Sequence, residues 1–167
     1  MYDELTEVDI QKMREEIEYR TNTLRSELIE DVKTARAFGD LSENFEYKAA
    51  KQAKNRNESR IRYLERMIST AKVISDNSAD GEIGLFDKVK LFIEGDNEEM
   101  DIQIVTTLRQ NALKGLISKE SPVGKAVMGH RIGDRVEVQV SPEYSYFVTI
   151  RNVEKGEDDA SLDISKY

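Results

Sequence analysis

Two acidic residues, Asp40 and Glu43, lie in a short break, residues 39–44, between two long and strongly charged stretches of the sequence. Neighbouring carboxylates can bind a divalent cation together, and Mg²⁺ typically takes only one or two protein carboxylates while keeping several waters. Two metal ions about 3.5–4 Å apart are the usual machinery for hydrolysing a phosphodiester bond. Because this pair offers too few ligands to hold a catalytic metal tightly, such chemistry has to be completed by a partner.

The same spacing is also typical of a helix capping box, which involves no chemistry. Asp40 would accept a hydrogen bond from the amide of residue 43, and Glu43 would accept one from the amide of residue 40. Acidic residues at a helix start also interact favourably with the helix dipole, by about 0.3–1 kcal/mol each. Ser42 is a competing cap. On spacing alone, capping is the favoured interpretation of the two acids.

A basic stretch follows this break. Seven basic and two acidic residues lie between Lys48 and Arg66, although the whole chain has a formal net charge of −8. At about 100° per residue, four of these cations share a helical wedge roughly 60° wide, away from the apolar residues. Because charges more than about 8–10 Å apart are screened at physiological salt, a local positive face can bind phosphates on an acidic protein. The wedge of Lys48, Lys51, Arg62 and Arg66 predicts either a solvated helix face or a track for single-stranded RNA, without base stacking because no aromatic ladder accompanies it.

Apolar residues recur at steps of three or four on both sides of the break, which is typical of coiled-coil seams. Gly39 ends the first seam, where a residue with positive φ commonly ends a helix. Two helices of roughly 30 residues, each about 45 Å long, should run antiparallel when joined by so short a turn. We therefore expect residues 1–75 to form a long antiparallel coiled coil with an acidic tip at 39–44. The seams are Ile10, Met13, Ile17, Thr21, Leu24, Leu28, Val32 and Ala35, and then Ala49 or Ala50, Ala53, Asn57, Ile61, Leu64, Ile68 and Ala71.

The pattern changes after a turn-rich stretch, residues 76–84, which we interpret as a linker. Alternating apolar residues then predict β-strands in a small, mostly antiparallel α+β domain at 85–153. The acidic residues 154–167 predict a frayed tail. The predicted strands are 88–93, 100–105, 135–140 and 146–153.

A short helix is predicted between the second and third strands. Ser121 would be its N-cap, Pro122 its first residue and Gly129 its end.

Composition limits the class of protein. The chain has no cysteine, which excludes disulfides and thiolate metal sites and fits a reducing, cytoplasmic setting. It has no run of about 18 apolar residues, so we expect no membrane span and no membrane partner. The acidic start argues against a signal peptide.

Two motifs closely resemble those of one known family. The stretch GDLSENFEYKAAK at 39–51 is similar to the tip motif of the GreA/GreB transcript cleavage factors of bacterial RNA polymerase. The stretch ISKESPVGKAVMGHRIGDRVEV at 117–138 resembles the signature of that family's second domain. The resemblance extends roughly over residues 5–153 and implies an α+β protein: an N-terminal antiparallel α-helical coiled-coil hairpin followed by a small FKBP-like antiparallel α+β domain.

The resemblance also implies a function. The coiled coil of such a factor enters the secondary channel of RNA polymerase and stimulates the polymerase's own cleavage of backtracked nascent RNA. The factor is an accessory protein and not an enzyme in isolation. Its implied partners are bacterial RNA polymerase and the 3′ end of the nascent RNA, and we expect a cytoplasmic monomer.

Individual residues acquire roles from the same resemblance. Asp40 and Glu43 match the paired tip acids that hold a second Mg²⁺ jointly with the polymerase, with none bound tightly by the factor alone. Leu41, Ser42 and Asn44 match the rest of the tip and are expected to support the acids.

Basic residues acquire roles as well. Arg36 and Lys51 fall where the family places cations that contact RNA, and they join Lys48, Arg62 and Arg66 in the predicted RNA-binding set. Tyr47 also matches the motif, and we expect it to staple the two helices.

The sequence departs from the family at several positions. Phe45 stands where the family usually has Ala, and Lys48 stands where His is common. The stretch TTLRQNALKG at 106–115 replaces a usually acidic segment.

Two alternative functions remain. One is a Gre-like inhibitor that occupies the same channel without stimulating cleavage. The other is a polymerase regulator resembling the regulator of nucleoside diphosphate kinase, with a shorter coiled coil. The retained Asp-Leu-Ser-Glu-Asn tip and the long seam favour the cleavage factor.

Overall fold

The computed structural model describes residues 4–39 and 44–164 of the chain. The chain divides into two compact units. Among the described residues, the first unit contains Ile10–Ala71, and the second combines those from Glu4 to Asp9 with those from Lys72 onward. The first unit thus ends at Ala71, shortly before the predicted boundary at residue 75, and the first residues of the chain's opening helix belong to the second unit.

The first unit is a helical hairpin, as predicted. Helix α1 spans Glu7–Tyr19, a π-helical turn follows at Arg20–Leu24, and α2 continues over Arg25–Arg36. Helix α3 spans Phe45–Thr70 and runs back along α2. All eight predicted seam residues of the first stretch are buried or half-buried, and Ala50 rather than Ala49 takes the seam position in α3.

The π-helical turn interrupts a helix that the sequence pattern predicted to be regular. The Arg20 carbonyl accepts from the backbone N–H of Arg25, five residues on, and also from Nδ2 of Asn57 at 3.2 Å. Asn57 is 2% exposed and occupies the α3 seam opposite this turn. A polar side chain inserted against a helix backbone is one of the recognised causes of such an irregularity. The pattern of apolar residues did not reveal it, because the seam continues on both sides.

Charged residues reinforce the hairpin beside this turn. Glu16 accepts from Nε of Arg20 at 2.8 Å and from Nε of Arg60, on α3, at 2.7 Å. Glu58 accepts two hydrogen bonds from Arg25, at 2.8 and 3.0 Å. These cross-hairpin pairs are partly shielded from water, which strengthens them relative to fully exposed ion pairs.

The second unit is built on a mixed five-stranded sheet in the order β5–β4–β3–β7–β6. All neighbouring pairs are antiparallel except β4 and β5, which are parallel. A separate parallel pair joins β1 (Glu4–Leu5) to β2 (Lys72–Val73). The five strands are β3 (Lys88–Ile93), β4 (Glu98–Val105), β5 (Leu116–Ser118), β6 (Arg135–Ser141) and β7 (Tyr144–Glu154).

Alternation along the strands places one face of the sheet in the core. In β3, Val89 and Leu91 are buried, and they pack with Ile104 from β4 and Ile150 from β7. Helix α4 (Pro122–Val127) adds Val127 to the same core. All four predicted strands and the short helix are confirmed.

Two stretches predicted to be loose are packed in the second unit. Ile83, in the predicted linker, is 1% exposed and belongs to the core. The buried carboxylate of Asp87 accepts from the backbone N–H groups of Gly84 and Gly156 and lies 2.6 Å from the Lys155 ammonium. The prediction of a frayed tail is therefore wrong for Lys155 and Gly156, because both bind the buried carboxylate of Asp87.

Arg109 fixes more of the tail. Its fully buried guanidinium places Nε 2.5 Å from a carboxylate oxygen of Asp9, while Nη2 lies 2.5 Å from Asp158. Nη1 donates to the Asp159 carbonyl at 3.0 Å, and the group lies 5.1 Å from the centre of the Phe86 ring. Arg109 thus binds the start of the chain and the tail to the sheet domain.

No helix within residues 4–39 and 44–164 is long and apolar enough to cross a membrane.

Candidate functional site

The predicted tip lies at the turn of the hairpin. Asp40, Leu41, Ser42 and Glu43 fall outside the described residues, so their predicted roles stay predictions. The flanking residues are described on both sides. Helix α2 ends at Arg36, and the chain passes through Gly39 with φ of +131°, the positive value expected of a helix-ending glycine.

Asn44 closes the turn with both ends of its side-chain amide. Its Oδ1 accepts from the backbone N–H of Tyr47 at 2.9 Å, which makes it the N-cap of α3. Its Nδ2 donates to the Ala35 carbonyl in the last turn of α2 at 2.6 Å. Asn44 is therefore the cap of α3. The capping-box interpretation of Asp40 and Glu43 concerns side chains outside the described residues and stays a prediction.

Arg36 and Tyr47 form a second bridge across the turn. The Arg36 guanidinium donates to the Tyr47 hydroxyl at 3.4 Å and lies 5.6 Å from the ring centre. The hydrogen bond from Arg36, with nearby Lys51 and Lys54, lowers the pKa of the Tyr47 hydroxyl. The prediction that Tyr47 staples the helices is confirmed. Arg36 remains exposed at the turn end, where its cationic group is available to a ligand.

The four cations of the predicted wedge share the outer face of α3. Lys48, Lys51, Arg62 and Arg66 are all exposed, whereas the seam residues of α3 opposite them are buried or half-buried. Within the described ranges, none of the four has a carboxylate within the 4.0 Å limit of an ion pair. The arginines that face the hairpin partner are neutralised by glutamates, so positive charge accumulates on this outer face.

Two phenylalanines flank the turn, and both are largely in water. Phe38 is 71% exposed and Phe45 is 80% exposed. The Lys48 ammonium lies 5.7 Å from the centre of the Phe45 ring. Sequence reasoning noted Phe45 only as a departure from the family and missed Phe38, although an apolar residue on each side of a polar turn was a visible signal.

The second motif forms the capped helix of the sheet domain. Ser121 accepts from the backbone N–H of Gly124 at 3.0 Å, and Pro122 begins the helix. A side chain at Gly124 would meet the Ser118 carbonyl at 2.2 Å, so glycine is required there. His130 lies 3.1 Å from Asp134, whose pKa is lowered by a hydrogen bond from the Arg131 amide and then by His130.

The only metal ligands that the sequence predicts are the two tip acids, Asp40 and Glu43. Across the described residues there is no group of three or more His, Asp or Glu side chains that could hold a metal ion. That Asp40 and Glu43 hold one Mg²⁺ ion jointly with a partner stays a prediction, because both lie outside the described residues.

A helical hairpin whose two helix ends are linked by Asn44, followed by a small sheet domain, defines a class of two-domain proteins. Residues 4–73 match the family model described as transcription elongation factor, N-terminal, and residues 77–155 match that described as transcription elongation factor, GreA/GreB, C-term. The chain belongs to the GreA/GreB family of transcription elongation factors.

Curated relatives support this assignment over most of their length. Transcription elongation factor GreA of Mesoplasma florum is 39% identical over 143 residues, which cover 84% of this chain and 92% of the relative. The Bacillus licheniformis protein of the same name is 41% identical over 136 residues, which cover 81% of this chain and 86% of the relative.

A solved structure of GreA factor homolog 1 of Thermus thermophilus is 27% identical, covers 93% of this chain and 100% of that chain, and has a TM-score of 0.42.

Proposed function

We propose that this protein inserts its helical hairpin into the secondary channel of bacterial RNA polymerase and stimulates the polymerase's endonucleolytic cleavage of backtracked nascent RNA. Family membership supports the polymerase as partner. The observation that carries the proposal for the tip is the capping of α3 by Asn44. Because Asn44 satisfies the helix start, Asp40 and Glu43 are not needed as caps. Such a factor acts in the cytoplasm, and we expect it to bind as a monomer.

The two tip acids contribute ligands rather than a complete active site. The carboxylates of Asp40 and Glu43 would hold one Mg²⁺ ion jointly with the polymerase and orient the attacking water. A metal ion bound there supplies stabilisation for the charge that develops on the scissile phosphate. Asn44 links the two helix ends beside the pair, and we expect Leu41 and Ser42 to support the acids as well. The polymerase provides the remaining ligands, so the protein is an activator and not an enzyme by itself.

The outer face of α3 gives the displaced RNA a place to bind. Lys48, Lys51, Arg62 and Arg66 are exposed and free of ion pairs within the described residues, so their charge is available to phosphates. From Lys48 to Arg66 the face extends about 27 Å at 1.5 Å per residue, enough for several nucleotides. Arg36 adds a cation at the turn end of this track. Acidic residues more than about 8–10 Å from this face do not oppose binding, because salt screens charges at that separation.

The test is a backtracked elongation complex with labelled nascent RNA, RNA polymerase, Mg²⁺ and this protein. We expect the wild type to release short 3′ fragments. Asp40→Asn and Glu43→Gln should each reduce the cleavage rate by at least about tenfold, since each removes a metal ligand while keeping the side-chain shape. Competition binding to the polymerase should be unchanged, and the free energy of unfolding should change by less than about 0.5 kcal/mol.

Glu46→Gln is the matched control, because Glu46 is exposed in the first turn of α3 and should tolerate loss of its charge. A wild type that binds the polymerase and suppresses cleavage would favour the inhibitor alternative instead. Equal losses in all three variants would contradict a specific role for the tip acids.

A further inference from the structure

Phe38 and Phe45 are exposed without a structural reason in the hairpin. Phenylalanine has no polar group to hydrate, and leaving its ring in water forgoes the free energy that burial provides. At 71% and 80% exposure, the two rings contribute little to packing in the first unit. In contrast, Ala35 beside them is buried. Exposed aromatic rings of this kind mark a binding surface when they are grouped with a suitable charge.

The two rings are grouped at one end of the hairpin. The hydrogen bond from Asn44 to the Ala35 carbonyl joins the last turn of α2 to the first residue before α3. Phe38 follows α2 closely and Phe45 begins α3, so both rings belong to the turn end. The third exposed aromatic side chain of the described hairpin, Tyr19, lies at the end of α1 and not at the turn.

Cations accompany the rings. The Lys48 ammonium lies 5.7 Å from the centre of the Phe45 ring, and Arg36 lies at the end of α2. Lys48 also begins the outer cationic face of α3. An aromatic face beside a free cation matches one nucleotide, because the base stacks on the ring while the neighbouring phosphate meets the cation. A purely apolar protein partner would gain nothing from these charges.

We propose that Phe45, with Phe38 as a second ring, stacks on an unpaired base at the 3′ end of the RNA, while Lys48 binds the adjacent phosphate. This inference rests on the proposed function, which brings the turn to the RNA. Phe45 is a positioning residue: it orients the nucleotide relative to the tip acids and takes no part in the reaction itself. Stacking is confined to the turn, which agrees with the absence of an aromatic ladder along the described outer face.

The first experiment measures contact with the base directly. A fluorescent adenine analogue, 2-aminopurine, is placed at the RNA 3′ end of a backtracked complex in which Ca²⁺ replaces Mg²⁺. Stacking quenches its fluorescence, so we expect quenching with the wild type, with Phe45→Trp and with the control Tyr19→Ala. Phe45→Ala should lose most of the quenching, and Phe38→Ala part of it. Equal quenching by the wild type and Phe45→Ala, or no quenching by either, overturns the inference.

The second experiment uses cleavage at low factor concentration. Base–aromatic stacking predicts that Phe45→Ala lowers the cleavage rate about tenfold or more, with Phe45→Trp restoring it. On RNA with an abasic 3′ nucleotide, the wild type should fall to the level of Phe45→Ala, and the substitution should have no further effect. A full penalty for Phe45→Ala on abasic RNA would show that the ring contacts the polymerase and would overturn the inference.

The two proposals fail in different ways. If Asp40→Asn abolishes cleavage while Phe45→Ala changes neither cleavage nor fluorescence, the stacking inference fails and the proposed function stands. If no factor variant stimulates cleavage but quenching still depends on Phe45, the proposed function fails and the base contact stands.

Discussion

Asn44 organises the hairpin turn through two hydrogen bonds, one to each helix. Its acceptor oxygen satisfies an amide at the start of α3, and its donor nitrogen satisfies a carbonyl at the end of α2. Helix ends leave several backbone groups without intrahelical partners, so a side chain that serves two ends at once is unusually effective. This residue therefore determines how closely the turn is held.

Replacing Asn44 should weaken the turn measurably. We expect Asn44→Ala to lower the free energy of unfolding by about 1–2 kcal/mol, because both the cap and the link to Ala35 are lost. Asn44→Asp keeps the acceptor for the Tyr47 amide but lacks the donor to Ala35, so it should lose only part of this amount. Urea unfolding followed by circular dichroism measures both changes. An unchanged midpoint for Asn44→Ala would mean that another residue caps α3.

The sequence predicted one helix cap and missed the other for a physical reason. Ser121 precedes a proline, which marks the first residue of a helix and leaves one position for the cap. The hairpin turn holds Asp40, Ser42 and Asn44 within five positions, and each side chain is a good cap. The choice among them depends on where α3 begins, which follows from packing against α2 and not from local preference.

The hairpin carries a charge cluster whose effect depends on pH. Partial burial alone would raise the pKa of Glu16, but hydrogen bonds from Arg60 and Arg20 outweigh it and leave that pKa lowered. An acid whose pKa is lower in the folded state than in the unfolded chain stabilises the fold while it is ionised. This contribution is present above the ordinary pKa of 4.5 and is lost as the pH falls through the lowered value.

We therefore expect Glu16→Gln to destabilise the protein at pH 7 and to have less effect near pH 3. Urea unfolding at pH 7, 5, 4 and 3 measures the difference between wild type and variant. Glu30→Gln is the control, because Glu30 is 69% exposed and pairs with Lys33 only at 3.4 Å. A difference that does not shrink with falling pH would show that Glu16 acts through packing instead of charge.

Elements with strong periodicity were predictable, and those fixed by distant partners were not. Strand β3 shows clean alternation, so its buried residues could be assigned from sequence. Strand β5 has only three residues, Leu116–Ser118, too few to show a period, and it depends on pairing with β4. The π-helical turn requires Asn57 from the opposite helix, which no local pattern in α1 or α2 reveals.

At the scale of the molecule, the tail is part of the second unit's electrostatic structure. Asp87 and Arg109 are fully buried charges, and each takes partners from the residues after Glu154. Composition predicted a frayed tail because these residues are mostly acidic. The ion pairs of Lys155 with Asp87 and of Asp158 with Arg109 instead hold the tail in the second unit. In the same way, composition gave the acidic net charge but not the cationic face of α3.

Removing the tail should destabilise the second unit. A chain that ends at Glu154 leaves the buried Asp87 without its Lys155 partner and the buried Arg109 with Asp9 as its remaining ion pair. Removing one partner of a buried ion pair typically costs about 3–5 kcal/mol. We expect a clear drop in the unfolding temperature of the second unit, measured by differential scanning calorimetry. A chain that lacks only residues 165–167 is the matched control and should unfold like the wild type. Equal unfolding temperatures for both truncations would contradict a structural role for the tail.

The π-helical turn has a consequence for grafting experiments between relatives. One residue more or fewer between Tyr19 and Arg25 would rotate all of α2 by about 100° around its axis. Arg36 would then no longer face Tyr47. The residues that follow α2 would be rotated around the same helix axis. A chimaera that exchanges the tip should therefore be joined after Leu24, so that the π-helical turn is left intact. Otherwise it has to include both the turn and Asn57, which bonds to it from α3.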